Sequence, residues 1–169
     1  MLKRIWTDFI APILRRPSQY QVAALCWRGT DDGIEVLLVS SRTTRRWILP
    51  KGWPMPDRDG AGTALQEAWE EAGIRADGSP PVRIGRYRYR KRLTGDVPVQ
   101  TMVDIYAIRV IGLEDAFPEA GQRAREWFPP EQAATLVQEP ELASLLREGT
   151  GLITKISAGH TDAPGLPHD

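Results

Sequence analysis

Of the 169 residues one is cysteine, Cys26, and two are histidine, His160 and His168. An internal disulfide framework and a cysteine-based zinc site are thereby excluded. Both histidines fall in the last ten residues, so a His-dependent triad in the folded body is not expected. Long apolar runs are missing as well. No stretch approaches the roughly 18 apolar residues of a transmembrane helix, and no membrane partner is expected. An excess of either charge is also lacking. The 22 Lys and Arg equal the 22 Asp and Glu, which argues against a protein that coats nucleic acid, so no stable nucleic-acid partner is expected. Acid–base chemistry would have to rest on carboxylates, Lys, Tyr or metal-activated water.

What is present suits one globular domain. Hydrophobic residues make up 41% and charged residues 26%, with six Trp to build a core. Residues 1–18 form an amphipathic segment in which Leu2, Ile5, Trp6, Phe9, Ile10 and Ile13 recur at helical spacing. Asp8 and Pro12 interrupt any signal-like core, and a cytoplasmic setting is expected. This segment packs on its own domain or on a second subunit, the latter making a homodimer. Residues 21–28, QVAALCWR, and 35–41, EVLLVSS, read as a hairpin around TDDG. WILP (47–50) is a short strand, and KGWPMPDRDGAG (51–62) is loop. Residues 63–73 are helical with Gly73 as a left-handed cap. RIGRYRYRKR (83–92), TMVDIYAIRVI (101–111) and REWF (125–128) read as strands. Residues 130–137 and 140–148 read as closing helices opened by proline, and 151–169 as a flexible tail. The pattern predicts an α/β fold, a mixed sheet covered on both faces.

The helix at 63–73 carries the chemistry. At about 100° per residue, Glu71 lies one turn above Glu67, and Glu70 sits on the edge of the same face. Small apolar residues, Ala64, Leu65, Ala68 and Ala72, gather on the other side. Like charges at this spacing destabilise a bare helix. They make sense around a hard divalent cation, Mg²⁺ or Mn²⁺. The plainer alternative is a solvated acidic face. The flanking basic clusters weigh against it: Arg42, Arg45, Arg46 and Lys51 on one side, the 83–92 strand on the other. Carboxylates with metal facing a cationic wall suit the hydrolysis of phosphate anhydrides.

Residues Gly52 to Ile74 resemble the Nudix box, G-x5-E-x7-R-E-U-x-E-E-x-G-U, where U is bulky and apolar. Gly52, Glu67, Glu70, Glu71, Gly73 and Ile74 fall at its spacing. Arg58, Gln66 and Ala68 depart from it, standing where the pattern has Glu, Arg and a bulky apolar residue. Asp57 and Asp59 flank Arg58 and could substitute for the missing carboxylate. The segments ALCWR, EVLLVSSR, RWILPKG and REWF are similar to the diphosphoinositol polyphosphate phosphohydrolase branch of that family, over roughly residues 20–148. The resemblance implies an α/β/α sandwich, with a Nudix hydrolase domain at 19–150. It further implies that Glu67, Glu71 and the Gly52 carbonyl bind metal and that Glu70 is the general base or a further ligand.

The substrate implied is a polyphosphorylated small molecule: an inositol pyrophosphate, a dinucleoside polyphosphate or a nucleoside diphosphate derivative. Arg42 and Arg46 precede the strand that enters the box, and Lys51 stands beside Gly52. Strand alternation puts Arg86, Arg88 and Arg90 on one face and Tyr87 and Tyr89 on the other. These cations either hold phosphates or solubilise an edge strand. Glu119 is a solvated loop residue or a late acidic ligand. A rival reading is a Nudix-fold sensor or binding module without turnover, which Arg58 and Gln66 would favour.

Overall fold

The computed structural model describes residues 19–92 and 98–159, apart from the side chains at 91, 92, 150 and 157–159. The amphipathic segment at 1–18 lies outside them. Strands β1 (Gln19–Thr30) and β2 (Gly33–Ser40) form the expected hairpin, with Trp27 opposite Val36 and Thr30 opposite Gly33. Short strands β3 (Trp47–Ile48) and β4 (Lys51–Gly52) follow, then helix α1 (Gly60–Ala72) and β5 (Ile74–Ala76). The long strands β6 (Val82–Arg92) and β7 (Pro98–Leu113) lead to β8 (Arg125–Phe128), α2 (Pro130–Leu136) and α3 (Pro140–Gly159).

Strand β1 lies at the centre of the sheet. Its first half pairs antiparallel with β4 and its second half with β2, while its other edge pairs in parallel with β7 from Gln19 to Trp27. β6 and β5 pair antiparallel with β7, and β3 and β8 with β2. The sheet is therefore mixed, as expected. Alternation along β1 divides the core in two. Val22, Ala24 and Cys26 face α1 through Ala64, Ala68 and Ala72. Ala23, Leu25 and Trp27 face α2 and α3 through Ala133, Leu142 and Leu146. Fully buried leucines such as Leu25, Leu37 and Leu38 each contribute about 1.5–3 kcal/mol to this sandwich. Cys26 is buried among them, and burial pushes its thiol up.

Three expectations change. Lys51–Gly52 and Ile74–Ala76 are strands, too short to show a period in sequence. Helix α1 opens at Gly60, where the Asp59 side chain accepts from the Gly62 N–H at 2.7 Å. The closing helix does not end at 148, and residues 151–159 are not tail but its last turns. Leu142, Leu146, Gly149 and Ile153 continue one buried stripe, which Gly149 and Gly151 disguise in sequence.

Candidate active site

Helix α1 is fixed at both ends. Asp59 caps its start, and Gly73 ends it in the left-handed region at φ 63°, with its N–H directed to the carbonyls of Ala68 and Trp69. A Cβ at Gly73 would also meet Phe117 at 2.6 Å. Arg125 donates to the Ala72 carbonyl at 2.8 Å and to that of Glu114 at 2.7 Å, satisfying groups at the helix terminus. With the alanine face on the sheet, Glu67 and Glu71 point into the protein, 9% and 8% exposed, while Glu70 is half-buried. The acidic face is therefore not a solvated one.

Each carboxylate has a defined setting. Glu67 lies against the backbone of β4 so closely that a Cβ at Gly52 would stand 1.9 Å from its Oε1. Gly52 is needed here for room, since its φ lies outside the left-handed region. Glu71 accepts from the Lys51 N–H at 3.2 Å and from Arg123 Nη2 at 2.7 Å. Glu70 accepts from Gln66 Nε2 at 2.6 Å, one turn back along α1. Burial, reinforced by Glu71, Glu70 and Glu119, pushes the Glu67 carboxyl up to about 7 against the pull of Arg123. Burial also raises the Glu71 carboxyl, with Arg123 and the Lys51 N–H opposing.

Arg123 is the residue that sequence reasoning missed. Its side chain is 7% exposed and bridges Glu71 to Glu119, donating from Nε to Glu119 Oε2 at 2.9 Å. It also donates to the Ser40 carbonyl at 3.2 Å. The Glu119 N–H donates to the Glu70 carbonyl at 3.0 Å, which draws this loop onto α1. Nothing in AGQRAR sets Arg123 apart from its neighbours, because its partners are far away in sequence. Asp57 and Arg58 are exposed, and Asp59 is committed to capping.

The donor set on α1 and β4 is all carboxylate and carbonyl oxygen, the chemistry a hard divalent cation takes. Among the described residues no three metal-ligating side chains meet at one point, and a guanidinium stands between Glu71 and Glu119. Arg123 thus serves as a resident cationic stand-in, and Glu67 and Glu71 fit a divalent ion.

A cleft of about 930 Å³ opens beside these groups, with Glu71 and Gly52 on one side and Arg42, Arg46, Lys51, Arg88, Arg90 and Arg123 around the rest. The turn that presents Arg42 and Arg46 closes through Ser41 N–H to Arg46 O at 2.8 Å and holds Arg45 at φ 58°, a costly conformation for a residue with a side chain. Arg42 reaches Glu119 at 3.2 Å and Gln122 at 3.1 Å. Arg46 pairs with Glu139 at 2.5 Å. Lys51 Nζ stands 5.4 Å over the Tyr89 ring. Arg88 pairs with Glu141 at 3.2 Å. Arg86 is not brought to the cleft. It and Arg83 hold Asp104 at 2.6 and 2.8 Å, with the Tyr20 hydroxyl donating at 2.7 Å. Arg86 lies opposite Asp104 in the β6–β7 register, which explains the capture.

A NUDIX domain model matches residues 19–148. Diphosphoinositol polyphosphate phosphohydrolase 2 of Mus musculus is 32% identical over 156 residues, 90% of this chain and 82% of that protein. Diphosphoinositol polyphosphate phosphohydrolase 3-alpha of Homo sapiens is 31% identical over 151 residues, 87% of each chain. Among solved structures, a C. elegans Ap4A hydrolase binary complex superposes with TM-score 0.62 at 21% identity, over 81% of this chain and 98% of that one. The NUDIX domain of Shewanella oneidensis NrtR with ADP ribose gives 0.61 at 13% identity, over 90% and 99%. These two structures are similar to this chain in fold.

Proposed function

Because the chain belongs to the Nudix family of hydrolases, we propose that it hydrolyses a phosphoanhydride bond in a polyphosphorylated small molecule with a divalent cation, Mg²⁺ or Mn²⁺. The observation that carries this reading is the opposition within one cleft of buried α1 carboxylates and a wall of guanidinium and ammonium groups. The curated relatives named as diphosphoinositol polyphosphate phosphohydrolases support the anhydride as the bond attacked.

Glu67, Glu71 and the Gly52 carbonyl would hold the cation. Once bound, it would neutralise charge on the anhydride oxygens and make water more acidic. Glu70 takes the proton of the attacking water. Gln66, an amide where the family pattern has Arg, orients Glu70 without a counter-charge. Arg42, Lys51, Arg88 and Arg90 bind the phosphate oxygens by charge-assisted hydrogen bonds. Arg123 compensates Glu71 and Glu119 and keeps the late loop against α1.

The test is phosphate release from a panel of inositol pyrophosphates, dinucleoside polyphosphates and nucleoside diphosphate derivatives, with Mg²⁺ and with EDTA. Turnover with Mg²⁺ that stops in EDTA is the expected result, and full activity in EDTA refutes it. A second reading, binding without turnover, rests on Arg58: neither neighbouring Asp replaces the carboxylate that the family pattern has there. Tight binding with no turnover for any metal would favour it.

A further inference from the structure

The cations lining the cleft are not equivalent. Arg42 is 55% exposed, and its acidic partner Glu119 lies in the rim loop. Arg88 is 57% exposed, and Glu141, its partner, 44%. Pairs as exposed as these are weak and exchange readily with an incoming phosphate. Arg46 differs. It is 22% exposed and its partner Glu139 only 6%. Arg46 Nη1 donates to Glu139 Oε1 and, at 3.4 Å, to Gln138 Oε1. The second carboxylate oxygen, Glu139 Oε2, has no hydrogen-bond partner and is shut from solvent, although the residue lines the cleft.

Drawing Arg46 away onto a phosphate would leave that buried carboxylate uncompensated, an expensive state. Placing a phosphate beside it would add like-charge repulsion in a poorly solvated corner. An uncharged donor meets neither cost. A hydroxyl or amino group from the ligand could satisfy Oε2 while Arg46 stays in place. A buried acceptor without a partner favours such a ligand over an analogue without the donor. The cleft also exposes the Trp53 indole, 44% accessible, a flat apolar face of the kind on which a nucleobase stacks.

We propose that Glu139 is a specificity-determining residue. It keeps the Arg46 end of the cleft from accepting a further phosphate and reserves it for an uncharged hydrogen-bond donor. The substrate is then one whose phosphates are flanked by a nucleoside, rather than a ring phosphorylated all round. The inference rests on the phosphoanhydride reading above and narrows it.

The experiment compares kcat/KM on diadenosine tetraphosphate and on a diphosphoinositol pentakisphosphate, for the wild type and for Glu139→Gln. The wild type should prefer the dinucleotide. The substitution keeps the shape and removes the charge, so the ratio should move toward the inositol compound by about 10-fold or more, chiefly through KM. An unchanged ratio in a folded variant overturns the proposal. A second measurement does not depend on the variant. Inositol hexakisphosphate and a non-hydrolysable diadenosine polyphosphate are titrated against wild-type protein, and binding is read from the thermal melt. Binding of the hexakisphosphate at least about 10-fold weaker supports the proposal, and equal or tighter binding overturns it. If the wild type hydrolyses no anhydride at all, the enzymatic reading fails, while this binding comparison still decides the role of Glu139.

Discussion

The contact between Gly52 and Glu67 offers a sharp test of the acidic centre. In Gly52→Ala the new Cβ would stand 1.9 Å from Oε1 of Glu67 and 2.3 Å from its Cδ. Ordinary carbon–oxygen contacts lie at about 3.3 Å, so the carboxylate must withdraw by roughly 1.4 Å. The atoms met are the far end of a side chain, which a rotamer change can relocate for about 0.5–1.5 kcal/mol. Folding should survive, with the melting temperature lower by no more than a few degrees. Function should not, because a displacement of about 1 Å at a reacting centre can cost roughly 100-fold. We expect kcat to fall by about 100-fold and Mn²⁺ affinity, measured by calorimetry, to drop in parallel. Double-mutant analysis isolates the cause. If the substitution acts only through Glu67, adding it to Glu67→Gln should cost little more than Glu67→Gln alone. A folded Gly52→Ala protein with normal turnover and normal cation affinity would refute the reasoning.

Other consequences can be checked separately. Arg123→Met should destabilise the metal-free protein by about 3–5 kcal/mol in urea unfolding, because it strands the buried Glu71, and Mn²⁺ should recover more stability in this variant than in the wild type. Arg42→Ala should raise KM about 10-fold for a polyphosphorylated substrate, with a smaller effect at high salt. Arg86→Ala should leave KM unchanged, since that guanidinium is held by Asp104 away from the cleft. Burial alone would raise the Asp104 carboxyl, but hydrogen bonds from Arg86, Arg83 and Tyr20 outweigh it and hold it well below the usual range. Its stabilising contribution is therefore full above its unfolded value of about 3.9 and is lost as pH falls below that, so Asp104→Asn should flatten the acid limb of a stability–pH curve.

The acidic centre was legible because one helix supplies it. Helical spacing alone aligns Glu67, Glu70 and Glu71, and Gly73 marks the stop. The sheet was legible for a similar reason, since alternation in β1, β2 and β7 reports burial directly. The cationic wall was only half legible. Strand period groups Arg86 with Arg88 and Arg90, yet Asp104 captures the first across the ladder while the other two line the cleft. Arg123 and Glu139 carried no local signal. Each acquires its role from a partner brought close only by the closed sandwich, Glu71 for one and Arg46 for the other.

The parallel pairing of β1 with β7 also bears on how the molecule reaches its final form. Val22 lies opposite Asp104, a loop of about 80 residues that must close before the central strand has both neighbours. Topology of this kind makes for slow folding compared with hairpins and helices. During synthesis the acidic helix leaves the ribosome well before residue 123. Until the late loop arrives, Glu67, Glu70 and Glu71 repel one another without their buried guanidinium. Helix α1 should therefore gain its full protection from hydrogen exchange only with the last strands, or earlier when a divalent cation takes the place of the missing arginine.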